Sequence, residues 1–184
     1  MWQSVFRSKR FALVVMGASL MGGTSIGTPV RAQSWADIGN YSSLLRRAGT
    51  QTLVAQDCPS GLLGAFHSGR NSVLLCANNL QNDPVQVWTV LAHESAHVMQ
   101  HCEQGHLLPD HQIGSAIAQI EKQSLRAVQE LRLYHQSQRR DEIEARLVQG
   151  LPMAEVKALF QGFCGDRLMR GVLKSLPSVG LGDG

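Results

Sequence analysis

Two histidines and a glutamate carry the clearest chemistry in the chain: His93, Glu94 and His97, in the arrangement H-E-x-x-H. On a helix, residues four apart share a face, so both imidazoles reach one ion. Zn2+ takes imidazole nitrogen readily, and a glutamate beside the two rings is placed to act on a metal-bound water. Burying these three polar groups on an otherwise apolar stretch would be costly without such a task. The bland alternative is a pair of partly exposed histidines on a surface helix. The arrangement argues for a zinc-dependent hydrolase, a peptidase first, with a peptide or protein as substrate.

A motif of this kind needs a helix to hold it. Asp83-Pro84 is a good helix start, with Asp83 as the cap and Pro84 in the first helical position. The residues around the motif are small or apolar (Val90, Leu91, Ala92, Ala96, Val98, Met99), and nothing breaks the helix before about Cys102. Ahead of it, Gly61 to His67 and Ser72 to Cys76 flank the turn cluster Ser68-Gly69-Arg70-Asn71, which predicts a β-hairpin. The strand Ser72 to Cys76 is a candidate edge for binding an extended peptide. Trp35 to about Ala48 has helical spacing at Ile38, Tyr41, Leu44 and Leu45, and Gly49 ends it. After a loop over residues 103–110, the apolar face of Ile113, Ala116, Ile117, Ile120, Ala127, Leu131 and Tyr134 predicts one long helix from Gln112 to about Gln138. Helical stretches follow over Asp141 to Gln149, from Pro152, and over Gly165 to Leu176. The expected fold is α+β and mostly helical, with a small hairpin or sheet ahead of the active helix and a helical C-terminal part.

The first residues read as a leader. Arg7, Lys9 and Arg10 precede an apolar run over residues 11–21, and Val30-Arg31-Ala32 offers small residues for cleavage after Ala32. That run is too short to span a bilayer comfortably, so the expectation is a signal peptide over 1–32 and a single domain over 33–184, with no stable membrane span after cleavage. The chain carries 17 Lys+Arg against 14 Asp+Glu. Four of the basic residues (Arg7, Lys9, Arg10, Arg31) and none of the acidic ones precede residue 33, so the domain is close to neutral. Its charge gives no reason to expect nucleic-acid binding. All four cysteines, Cys58, Cys76, Cys102 and Cys164, lie after the leader, and an even number in an exported chain suggests two disulfides. Of the three pairings, the favoured one is Cys58–Cys76 across the hairpin with Cys102–Cys164 tying the active helix to the C-terminal segment. The expected location is periplasmic or secreted.

A short strand element, an H-E-x-x-H helix and then more helices resemble the zincin metallopeptidases. The resemblance is specific over the five-residue motif and loose elsewhere, covering roughly residues 60–150. The metzincin extension H-E-x-x-H-x-x-G-x-x-H is not met, because Gln100 and Glu103 stand where its glycine and third histidine belong. The gluzincin pattern takes its third ligand from a glutamate on a later helix, often followed by alanine. Glu144-Ala145 looks like that step in thermolysin-like peptidases, although Val148 stands where an aspartate is often found four residues on. The chain also resembles small exported bacterial H-E-x-x-H proteins of unassigned substrate.

The resemblance implies a zinc site of His93, His97 and Glu144 with water in the fourth position, and Glu94 as general base. Glu142 and Glu103 are the rival third ligands. Tyr134 and His135 are candidates to hydrogen-bond the oxyanion, since zincins often use tyrosine or histidine there; Tyr134 also fits a core position. Two other functions compete: a non-peptidase zinc amidase, and a non-catalytic zinc-binding or regulatory envelope protein on the same scaffold.

Overall fold

The computed structural model describes residues 34–175, which belong to one compact unit. The expected signal peptide, residues 1–32, lies outside the described residues. Helix α1 (Trp35–Arg47) opens on a reciprocal cap: Ser34 Oγ accepts the Asp37 amide, and the Asp37 carboxylate accepts the amide of Ser34. It buries Ile38, Tyr41, Leu44 and Leu45, the four positions whose spacing marks its apolar face.

Among the described residues the sheet has three strands. β1 (Gln51–Ala55) runs parallel to β3 (Ser72–Cys76), and β2 (Gly64–His67) runs antiparallel to β3, so the order is β1-β3-β2. β3 is therefore the central strand, not an edge. Its residues are almost all buried, as expected of a strand covered on both faces. The hairpin from β2 to β3 turns at a one-turn 3-10 helix, Ser68–Arg70, and closes on Asn71, which adopts a left-handed conformation with φ 47°. The Asn71 side chain braces that turn by donating to the Gly49 carbonyl at 2.7 Å and accepting from Thr50 at 3.0 Å.

Helix α2 (Pro84–Glu103) begins at the expected cap, with the Asp83 carboxylate accepting the amides of Val85 and Gln86. It is the spine of the fold. Its buried residues lie all round it, from Val87 and Trp88 to Gln100. Trp88 meets Tyr41 edge-on at 5.0 Å, and Tyr41 meets Phe160 at 6.0 Å, joining α1, α2 and the C-terminal part in one core.

The long helix expected after α2 is instead three pieces: α3 (Ile113–Gln123), α4 (Leu125–Glu130) and a 3-10 turn, Leu131–Leu133. Ser124 breaks it by leaving the helical conformation (φ −161°, ψ 108°) and capping the next segment through its hydroxyl. Tyr134 is extended, and His135 caps α5 (Gln136–Gln149), which starts five residues earlier than expected. Helices α6 (Met153–Phe163) and α7 (Gly165–Ser175) complete the described chain. The observed class is the expected one, α+β and mostly helical with a small sheet ahead of the H-E-x-x-H helix.

The cysteines pair as Cys58–Cys76 and Cys102–Cys164. The second ties the last turn of α2 to the end of α6. The first joins the loop ahead of β2 to the last residue of β3, across the open end of the hairpin. Two disulfides mark a chain that matures in an oxidising, extracytoplasmic environment. Among the described residues, no helix is long and apolar enough to cross a membrane.

Candidate metal centre

Helix α2 presents His93, Glu94 and His97 to a cleft of about 680 Å³. The strand β2 forms one wall. The loop from Gln104 to His106 and residues Tyr134 and Gln138 form another. The close approach of β2 to α2 depends on Gly64, where a Cβ would sit 2.6 Å from Val90 Cγ1 and 3.3 Å from Glu94 Cγ.

The carboxylate that faces the two imidazoles comes from α5, and it is Glu142. Its oxygens stand 3.5 Å from His93 Nε2 and 3.5 Å from His97 Nε2. The three donor atoms lie within 4.8 Å of one another. Glu144, the expected third ligand, points elsewhere. Residues two apart on a helix project about 200° apart, so only one of these two glutamates can face α2's histidines. Glu144 is buried, with Oε2 accepting from Gln100 Nε2 and the Leu107 amide and Oε1 accepting from the Leu108 amide, each at 2.9 Å. Among the described residues, Glu103 is also outside the group around His93 and His97.

Two imidazole nitrogens and a carboxylate oxygen are the donor set of an open catalytic zinc site. One observation on this chain supports the fit: among the described residues Glu142 Oε2 is buried without a hydrogen-bond partner and stands 3.5 Å from His93 Nε2. Both rings are also held with Nε2 toward Glu142. His93 Nδ1 lies 2.9 Å from Gln149 Oε1, and His97 Nδ1 lies 2.8 Å from Gln100 Oε1. These glutamines went unnoticed in the sequence. Gln100 stands one turn after His97, and Gln149 two turns after Glu142, so helical spacing alone could have nominated them.

The electrostatics agree with a cation-binding centre. Burial would raise the Glu142 carboxyl, but the facing His93 and His97 and the nearby Arg146 outweigh it and hold it below its ordinary range. Burial likewise disfavours a charge on His93, yet Glu142 and Glu94 outweigh it and raise the ring's pKa. Glu94 is 6% exposed, and burial pushes its carboxyl up, partly offset by the two histidines. The Phe66 backbone of β2 lies on the same cleft and favours the charged form of the Glu94 carboxyl.

Tyr134 lines the cleft beside Glu142 and Arg146, and burial with the charge of Glu142 raises its hydroxyl pKa. It is no core residue of a long helix, because the chain is extended where it sits. His135, its paired candidate, turns its exposed ring back to cap α5, with Nδ1 2.9 Å from Ser137 Oγ. His101 and His106 also line the cleft. The ring of His101 rests on Phe66 at 5.6 Å, and His106 pairs with Asp141 at 2.9 Å.

Fold and cleft thus define a small α+β protein with a His/His/Glu centre able to hold a metal ion. The chain belongs to the family described as Domain of unknown function (DUF8637), whose model matches residues 43–165. That span contains the whole sheet, α2 and α5, and so every residue of the centre. No curated protein and no solved structure matches the chain.

Proposed function

We propose that this protein is an exported zinc-dependent peptidase, periplasmic or secreted, that hydrolyses a peptide bond in the cleft between β2 and α5. The observation that carries this reading is the convergence of His93, His97 and Glu142 within 4.8 Å, beside the buried carboxylate of Glu94. Zinc, when bound there, supplies a Lewis acid that polarises the scissile carbonyl and acidifies water.

The chain's own residues divide the remaining work. Glu94 takes the proton of the attacking water and delivers it to the leaving amine, a task suited to a carboxyl whose pKa burial has raised toward neutrality. Tyr134, at the cleft wall, donates its hydroxyl proton to the developing oxyanion as a hydrogen bond. Among the described residues the strand β2 pairs with β3 alone, which suits its outer edge to an extended peptide by strand addition. The same chemistry would cleave a non-peptide amide, and the substrate test separates the two.

The experiment is metal analysis of the oxidised protein with peptide-library hydrolysis. One zinc per chain is expected, lost in His97→Ala and Glu142→Ala, retained in Glu144→Ala folds that survive, and retained without turnover in Glu94→Gln. A folded wild type that binds no zinc ends the enzyme reading. Zinc retained with no hydrolysis by wild type, and none of the expected difference in Glu94→Gln, would make the protein a non-catalytic zinc-binding one.

A further inference from the structure

We propose that Glu144 is a positioning residue, which fixes the Nδ1–H tautomer of His97 through Gln100 and ties that ring to the cleft wall through the amides of Leu107 and Leu108. The relevance to metal rests on the reading of His97 as a ligand; the tautomer itself does not.

The argument begins with Gln100, 8% exposed in the interface of α2 with α5. A glutamine amide has an oxygen and a nitrogen of nearly equal size, and its neighbours decide which end faces which way. Gln100 Nε2 lies 3.0 Å from the Asp141 carbonyl and 2.9 Å from Glu144 Oε2. A carbonyl only accepts, and so does a carboxylate oxygen that already takes the Leu107 amide. The nitrogen must sit there, and the oxygen must face His97 Nδ1 at 2.8 Å. That oxygen has no proton to give, so Nδ1 carries the hydrogen. In a neutral ring this leaves the lone pair on Nε2, the atom that faces Glu142.

The other side of Glu144 gives the arrangement its reach. Leu107 and Leu108 are buried and follow directly on Gln104 to His106, the loop that walls the cleft. Their amides close on the same carboxylate that orients Gln100. Arg140 adds to the clamp by donating to the Leu108 carbonyl at 2.5 Å. The position of the wall and the tautomer of a metal-binding ring therefore share one side chain. In Glu144→Gln an NH2 group takes the place of one carboxylate oxygen: at Oε1 it costs the Leu108 amide its acceptor, and at Oε2 it costs both Gln100 and the Leu107 amide theirs, leaving only the Asp141 carbonyl to hold Gln100 against a flip. A flipped Gln100 offers N–H to His97 Nδ1 and moves the ring's hydrogen to Nε2, where it blocks a metal.

The test reads the ring directly, in the metal-free full-length oxidised protein. Long-range 1H–15N correlation spectra at pH 8.5, with the His97 signals assigned by comparison with His97→Asn, distinguish the two tautomers. Wild type is expected to show Nδ1–H. Glu144→Gln is expected to show a mixture or the Nε2–H form, faster amide exchange at Leu107 and Leu108, and zinc affinity lower by roughly 10- to 100-fold. Should Glu144→Gln fail to fold, Gln100→Leu keeps the loop's bonds to Glu144 and must still shift the tautomer. Retention of Nδ1–H in Gln100→Leu, or in a folded Glu144→Gln with unchanged exchange at Leu107 and Leu108, overturns the proposal. A wild type that binds no zinc but shows the tautomer shift between variants ends the metal reading and leaves this relay standing.

Discussion

Gln149 Oε1 stands 2.9 Å from Nδ1 of His93, so the last residue of α5 orients the first histidine of the α2 motif. A carboxylate in that place would push charge into the ring and raise its basicity; a neutral amide orients it while pushing less. Gln149→Ala should therefore weaken zinc binding by roughly 10- to 100-fold, through loss of orientation. Gln149→Glu should bind at least as tightly as wild type. Calorimetric titration of zinc into the metal-free variants checks both, and equal affinity in all three proteins would remove Gln149 from the centre.

The raised pKa of His93 gives a pH dependence of definite sign. Its folded value lies above the ordinary 6.5, because Glu142 and Glu94 outweigh the effect of burial. A group raised on folding contributes stability that is fully present below its unfolded pKa and is lost as pH rises through the folded one. The metal-free protein should thus lose stability as pH climbs from 6.5 through that value, and His93→Asn should flatten this part of the profile. Zinc reverses the trend, since the ring must shed its proton to bind, so affinity should rise with pH over the same interval. Urea denaturation in the presence of a chelator, repeated from pH 6 to 9, measures the first effect. Zinc titrations across the same range measure the second.

Gly64 sets the distance between β2 and α2. An alanine methyl there would meet Val90 Cγ1 at 2.6 Å, the Leu74 carbonyl at 3.0 Å and Glu94 Cγ at 3.3 Å. The strand must back away or Glu94 must move. Gly64→Ala should cost about 1–3 kcal/mol of stability, as overpacking does, and should lower turnover while zinc content stays the same. Denaturant midpoints beside metal analysis and initial rates give the answer. Full activity with unchanged stability would show that β2 does not position Glu94.

The parts of this molecule that were legible in sequence are those set by local rules. The cap at Asp83, the turn before Asn71, the H-E-x-x-H face and the cysteine pairing all rest on short spacings or on chemistry that permits few answers. β1 was missed because its residues show no alternation of burial, with Leu53 and Val54 both exposed, and because its partner lies some twenty residues further on in a parallel ladder. The break at Ser124 was hidden because the apolar period runs straight across it while the hydroxyl quietly caps a new segment. The acidic residue that faces the two histidines stands two positions before the one the sequence pattern nominated. Glu144-Ala145 is buried as a ligand step would be, but for another reason: Glu144 receives three N–H groups from α2 and the loop behind it. Burial marked it as important, and only the direction of the side chain, which sequence spacing did not settle, assigned the facing role to Glu142.

The two disulfides consume Cys58, Cys76, Cys102 and Cys164, and no cysteine among the described residues remains free. Thiolate is a softer and stronger partner for zinc than imidazole or carboxylate. A reduced chain would offer the ion four competing sulfurs before α5 had brought Glu142 to the histidines; an oxidised chain offers none. Oxidation then acts as a sorting step. It withdraws every rival donor of that kind, so that a metal ion arriving afterwards meets nitrogen and oxygen alone.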